Sequence, residues 1–177
     1  KEYIESALKA GKHVITANKD LIATHGPELI SLAKEHGCDL CYEASVAGGI
    51  PILRTIVNSF AADRIIEVRG IVNGTTNYIM TQMNKNGASY EDALESAQEL
   101  GFAEADPTND VDGIDAAYKM IILTQFAFGK DVTMDQVKVK GIRGIQKADI
   151  AEAKRLGYVI KLLGIANLVN GQIDVSV

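Results

Sequence analysis

The residue types best suited to chemistry crowd one stretch, Phe102-Ala-Glu-Ala-Asp-Pro-Thr-Asn-Asp-Val-Asp-Gly-Ile-Asp-Ala-Ala-Tyr-Lys119. Acidic residues fill its first half. A helix is predicted from about Val111 to Phe128, and Gly129 stops it. That helix is apolar nearly all round, with Ile114, Ala116, Ala117, Met120, Ile121, Ile122, Leu123 and Phe126, so it should be buried. Asp115 and Lys119 sit four apart on it, hence on one face, with Asp112 just above them. On a wet surface such a pair is an ordinary ion pair worth about 0.3–0.5 kcal/mol. In apolar surroundings the pair costs desolvation unless a function needs it, and a lysine in a partly dry pocket beside a carboxylate is a good proton donor. The residues alone leave both readings open.

Other candidates carry less. Aligning the acidic loop on a calcium-binding loop with Gly113 at the sixth position puts Thr108 first and Lys119 twelfth, where Asp and Glu are required, and the match fails. Lys19 follows a short strand, at the sheet edge where ligands bind in open α/β folds, but a solvated turn lysine would read the same. Gly48 and Gly49 mark a tight turn whose carbonyls could hold a cation. Cys38 and Cys41 form a lone C-x-x-C without a second ligand pair and are read as structural thiols. His13, His25 and His36 have no metal-ligand spacing. No G-x-G-x-x-G occurs in the 177 residues.

The elements that must position these groups alternate. Tyr3 to Ala10 is predicted helical, His13 to Thr16 a strand, a second helix opens at Gly26-Pro27 and closes at Gly37, and Leu40 to Ala44 is the next strand. This rhythm implies parallel pairing. Ser45 to Pro51 is a glycine-rich turn into a helix over Ile52 to Phe60, and Arg64 to Val72 reads as a long strand. Asn73-Gly74-Thr75-Thr76 can cap the helix that follows it, and Ser89 with Asp92 resembles a capping box for a helix ending at Gly101. Ile150 to Leu156 is predicted helical and Tyr158 to Leu168 extended, with Asn170-Gly171 turning a hairpin into Ile173 to Val177. The fold expected is α/β: residues 1–44 as the tail of a Rossmann-like domain, and 45–177 as a mixed sheet covered by helices on one side. The helical start without an initiator methionine, and the hairpin arm that stops at Val177, suggest an internal piece of a longer protein.

The bulk properties narrow the partners. The chain is 47% hydrophobic and 23% charged, with a formal net charge of −5, so it has no basic surplus for a phosphate backbone. No apolar run of membrane-spanning length or signal-peptide pattern is present. A reducing, cytoplasmic setting is expected.

Five motifs in order carry a resemblance: Gly-Lys-His-Val-Ile-Thr-Ala-Asn-Lys19, Glu43-Ala-Ser-Val-Ala-Gly-Gly-Ile-Pro51, Gly70-Ile-Val-Asn-Gly-Thr-Thr76, Gly101-Phe-Ala-Glu-Ala-Asp-Pro-Thr108 and Asp115-Ala-Ala-Tyr-Lys119. Over its whole length the chain resembles bacterial homoserine dehydrogenases. The resemblance implies NADP- or NAD-dependent interconversion of aspartate 4-semialdehyde and homoserine, on the route to threonine and methionine, by a homodimer. It makes Lys119 the proton donor, Asp115 its neighbour that fixes substrate and proton, Glu104 a substrate ligand and Lys19 a residue beside the nicotinamide. It also implies a sodium ion held by carbonyls around Glu43, Val46, Gly48 and Ile50. Tyr118 departs from the basic residue expected before the lysine. The rival readings are another amino-acid dehydrogenase with a similar substrate domain and a non-enzymatic folding and dimerisation module. The phosphate-binding glycines being absent from these 177 residues, the chain alone is expected to be inactive.

Overall fold

The structure, a computed structural model, describes all residues 1–177. Helix α1 (Glu2–Lys9) leads to β1 (Val14–Ile15), α2 (Lys19–Glu35) and β2 (Leu40–Cys41). The two strands pair in parallel, Val14 with Leu40 and Ile15 with Cys41, as the β-α-β rhythm requires. Leu8, Ile22, Leu29 and Ala33 are buried, which fixes α1 and α2 on this pair.

Helix α2 begins eight residues before the predicted start at Pro27. Asn18, in extended conformation, accepts the Leu21 N–H at 3.0 Å and donates its own N–H to Thr16 Oγ1. This cap outweighs the proline signal, so Pro27 lies inside the helix, where its ring removes the bond that Ala23 would otherwise receive. Lys19 is therefore the first residue of a helix and not part of a turn.

Glu43–Ser45 form a single tight turn, and α3 (Ile52–Arg54) widens into a π-type turn over Thr55–Ser59, where the Phe60 N–H reaches the Thr55 carbonyl. The expected helix over residues 52–60 is thus split between two hydrogen-bond patterns. Strand β3 (Glu67–Gly70) is shorter than its predicted span because it lies at a sheet edge with β5 as its only neighbour. Helices α4 (Gly74–Asn86), α5 (Tyr90–Glu99), α6 (Thr108–Val111) and α7 (Ile114–Phe128) follow, then β4 (Val137–Lys138), α8 (Lys147–Arg155), β5 (Gly164–Val169) and β6 (Gln172–Ser176). The predicted capping box opens α5: Ser89 Oγ accepts the Asp92 N–H at 3.1 Å and Asp92 accepts the Ser89 N–H at 3.3 Å. Asn170 and Gly171 both take positive φ, the two-residue hairpin turn that an Asn-Gly pair predicts. Residues 158–163, predicted extended, lie outside any ladder.

The second sheet runs β3-β5-β6-β4. Val177 donates to the Lys138 carbonyl while Lys140 donates to the Val177 carbonyl, the slanted pattern of a parallel pair, so beside the β5-β6 hairpin the sheet is mixed. The chain forms two compact units. One holds residues 1–68, 118–137 and 166–175; the other holds 69–117, 138–165 and 176–177. In the second unit Ile79, Met80, Met83, Ala93, Ala97, Val111, Ala116, Ile142, Ile150 and Leu162 make one apolar core. In the first, Tyr42 and Phe126 meet edge to face with ring centroids 5.5 Å apart.

Candidate active site

The head of α4 organises the acidic segment. Asn73 is the N-cap of this helix and is 5% exposed. Its Oδ1 accepts both the N–H of Thr76 at 2.8 Å and the Thr76 hydroxyl at 2.7 Å. Its Nδ2 is thereby turned the other way, where it donates to Asp110 Oδ1 at 2.7 Å and to Asp115 Oδ2 at 2.9 Å. Two carboxylates thus flank one amide nitrogen.

The loop with Glu104 is tied to the same helix head. Thr75 donates its hydroxyl to the Phe102 carbonyl at 2.6 Å, and Phe102 stacks on Tyr78 with ring centroids 4.9 Å apart. Gln98 holds the Glu104 and Ala105 carbonyls at 3.1 and 3.3 Å, which leaves the Glu104 side chain exposed. Asp106 accepts from the Thr108 side chain and from its N–H, and these bonds, the side-chain one foremost, pull its carboxyl below the usual range.

Asp115 is 7% exposed in the first turn of α7, and Lys119, one turn on, is half-buried. The expectation of a buried helix holds, since Ala116, Ala117, Met120, Ile121, Ile122, Leu123 and Thr124 are all buried. Asp112 does not join Asp115. It pairs instead with Arg143, whose guanidinium also donates to Thr108 Oγ1 at 3.1 Å. The cause is Gly113, whose positive φ breaks the chain between α6 and α7 and turns Asp112 outward. Gly141 closes the other side of this loop. A Cβ there would stand 2.2 Å from the Val111 carbonyl oxygen and 2.5 Å from Asp112 Cα.

In the first unit, both oxygens of the Glu43 carboxylate are engaged, accepting the N–H groups of Leu53 at 3.1 Å and Arg54 at 3.0 Å. The carboxylate is thereby tied to the start of α3. Ala47 and Gly49 take positive φ, and the Ile50 N–H closes on the Ala47 carbonyl at 2.8 Å. An all-oxygen set of carbonyls from Glu43, Val46, Gly48 and Ile50 fits a hard alkali cation by its chemistry. Lys19 stands at the carboxyl side of β1 on the first turn of α2, the edge where parallel sheets receive nucleotides. Cys38 and Cys41 are free thiols.

Sequence reasoning missed Asn73 and Asp110. The Asn-Gly-Thr-Thr stretch showed a cap, but a cap uses only the amide oxygen, and nothing in the spacing reveals where the amide nitrogen reaches.

Comparison with known proteins shows the family of the chain. Residues 1–43 match the family model described as homoserine dehydrogenase, NAD binding domain, and residues 51–177 match the model described as homoserine dehydrogenase. The homoserine dehydrogenases of Bacillus subtilis and Lactococcus lactis are 56% and 55% identical over all 177 residues, which cover 41% of each relative. A solved homoserine dehydrogenase from Thiobacillus denitrificans superposes with a TM-score of 0.97 at 44% identity, over 99% of this chain and 41% of that one. A hyperthermophilic archaeal homoserine dehydrogenase solved in complex with NADPH is 32% identical with a TM-score of 0.82, over 98% of this chain and 50% of that one. The chain is thus of the class of α/β proteins that open on a match to an NAD-binding domain. Within that class, the chain belongs to the homoserine dehydrogenase family. It spans 41% of the length of the curated relatives.

Proposed function

We propose that the full-length protein interconverts aspartate 4-semialdehyde and homoserine with NADPH or NADH. The observation that carries this reading is a buried carboxylate, Asp115, one turn before a half-buried ammonium, Lys119, on a helix that is apolar nearly all round. A bound nicotinamide dinucleotide supplies the hydride. As negative charge grows on the aldehyde oxygen, Lys119 stabilises it and gives up a proton, and in the reverse direction it takes the proton back. Asp115 holds the ammonium and the substrate in register. Glu104, exposed on its tethered loop, is the partner for the substrate's own ammonium group. Lys19 contacts the dinucleotide, and the carbonyls of Glu43, Val46, Gly48 and Ile50 hold a sodium ion that stiffens the turn before α3.

In this reading residues 1–44 end the nucleotide-binding domain and 45–177 belong to a catalytic domain that also dimerises, in the cytoplasm, on the route to threonine and methionine. No helix is long and apolar enough to cross a membrane. Since the pyrophosphate-binding glycine motif does not occur in these residues, the 177-residue chain alone does not turn over. The test is direct: the full-length protein is assayed for homoserine-dependent reduction of NADP and NAD, beside other amino-acid alcohols and semialdehydes. Turnover of homoserine is expected. Preference for a different semialdehyde sinks the reading.

A further inference from the structure

The amide of Asn73 does more than cap a helix. Capping needs its oxygen alone, yet its nitrogen places one hydrogen on Asp110 and the other on Asp115. The orientation is forced. Thr76, fully buried, points two donors at the amide oxygen. A flipped amide would set its oxygen against two carboxylate oxygens and its nitrogen against the Thr76 N–H, leaving only the Thr76 hydroxyl able to turn and accept. The two acids arrive from different elements, α6 and the first turn of α7, with the Gly113 break between them. Like charges so placed repel, and nothing in the helix geometry alone would keep them close. One amide with all its hydrogen-bonding positions filled does so.

We propose that Asn73 is a positioning residue that yokes Asp110 to Asp115 and so fixes the Asp115 carboxylate for the substrate role given to it above. This rests on the functional reading above. The yoke sets the separation and direction of the two carboxylates before substrate arrives, so the ordering cost is met in folding and not in binding.

Two substitutions in the full-length enzyme separate this role from capping. Asn73→Ser keeps a cap oxygen and loses both amide hydrogens. It should raise the KM for homoserine by about tenfold or more while the KM for the dinucleotide stays near that of the parent, and the fold should survive with a lowered thermal midpoint because Asp115 loses a buried hydrogen bond. Asn73→Asp also keeps the cap but sets a third carboxylate between the other two. Its activity should be depressed at alkaline pH and return in part as pH falls, because a shared proton then replaces an amide hydrogen. A parent-like KM and pH profile in both variants overturns the yoke and leaves Asn73 a cap only. If the parent enzyme oxidises no homoserine, the functional reading fails by itself. The yoke is then read from the carboxyl-carbon NMR titrations of Asp110 and Asp115, which Asn73→Ser should shift. Unchanged titrations overturn it.

Discussion

Asp115 accepts a 2.9 Å hydrogen bond from Asn73, forty-two positions earlier in the chain. The carboxylate most central to the proposed chemistry is therefore oriented from the head of α4, and its own helix only carries it. Helix α7 supplies burial and spacing, while α4 supplies direction.

Replacing Lys119 with alanine should lower kcat in the full-length enzyme about 10²–10⁴-fold, the range for losing a positioned general acid. Lys119 is only half-buried, so folding should survive, and circular dichroism with steady-state kinetics would check both. A variant that keeps its rate removes Lys119 from the chemistry.

Glu43→Ala should destabilise the protein by about 1 kcal/mol, since the N–H groups of Leu53 and Arg54 lose their acceptor. Glu43→Gln keeps one acceptor oxygen and should fall between. If the neighbouring carbonyls hold sodium, the alanine variant should also need more sodium to reach full activity. Thermal melts and activity across a sodium series test the two effects separately.

Gly141→Ala should cost about 1–3 kcal/mol, because its methyl group meets backbone and no flexible side chain can yield. The loop over residues 110–113 must move to admit it. A raised KM for homoserine should therefore accompany the lower urea midpoint, and a stability loss with unchanged KM would show that the acids do not shift with the loop.

Burial raises the Tyr42 hydroxyl from 10.0 to about 12, with Asp131 adding to the effect. The folded chain holds this proton where the unfolded chain has released it. The resulting stability is complete below pH 10 and is lost as pH climbs through 12. Tyr42→Phe should flatten that alkaline decline in thermal melts, and tyrosinate absorbance should show one late-titrating phenol fewer.

The sequence made much of this legible where the signal was local. The parallel β-α-β start, the Ser89 box, the Asn-Gly hairpin and the buried faces of α7 each follow from residue patterns within one element or between neighbouring ones. Asp115 and Lys119 stood out because charge on an apolar helix is conspicuous. The errors came from competition between signals. At α2 the proline pattern pointed to Pro27, while the Asn18 side chain and the Asp20 charge had already started the helix. At α7 simple helical extension placed Asp112 above Asp115, but Gly113 interrupts the axis there, and Arg143, thirty-one positions later, draws Asp112 away. Asn73 was invisible as a yoke for the same reason: its partners lie on segments that only tertiary packing brings together.

The proline within α2 has a consequence for motion. Without an N–H at position 27, the stretch Lys19–Gly26, held by buried Ile22, and the stretch Glu28–Glu35, held by Leu29 and Ala33, are joined by a weakened seam that lets the leading turns tilt slightly. Amide protons before the seam should exchange with solvent faster than those after it. A lysine borne on the looser stretch can follow an incoming ligand through small rotations of that segment, without disturbing the packing beneath the rest of the helix.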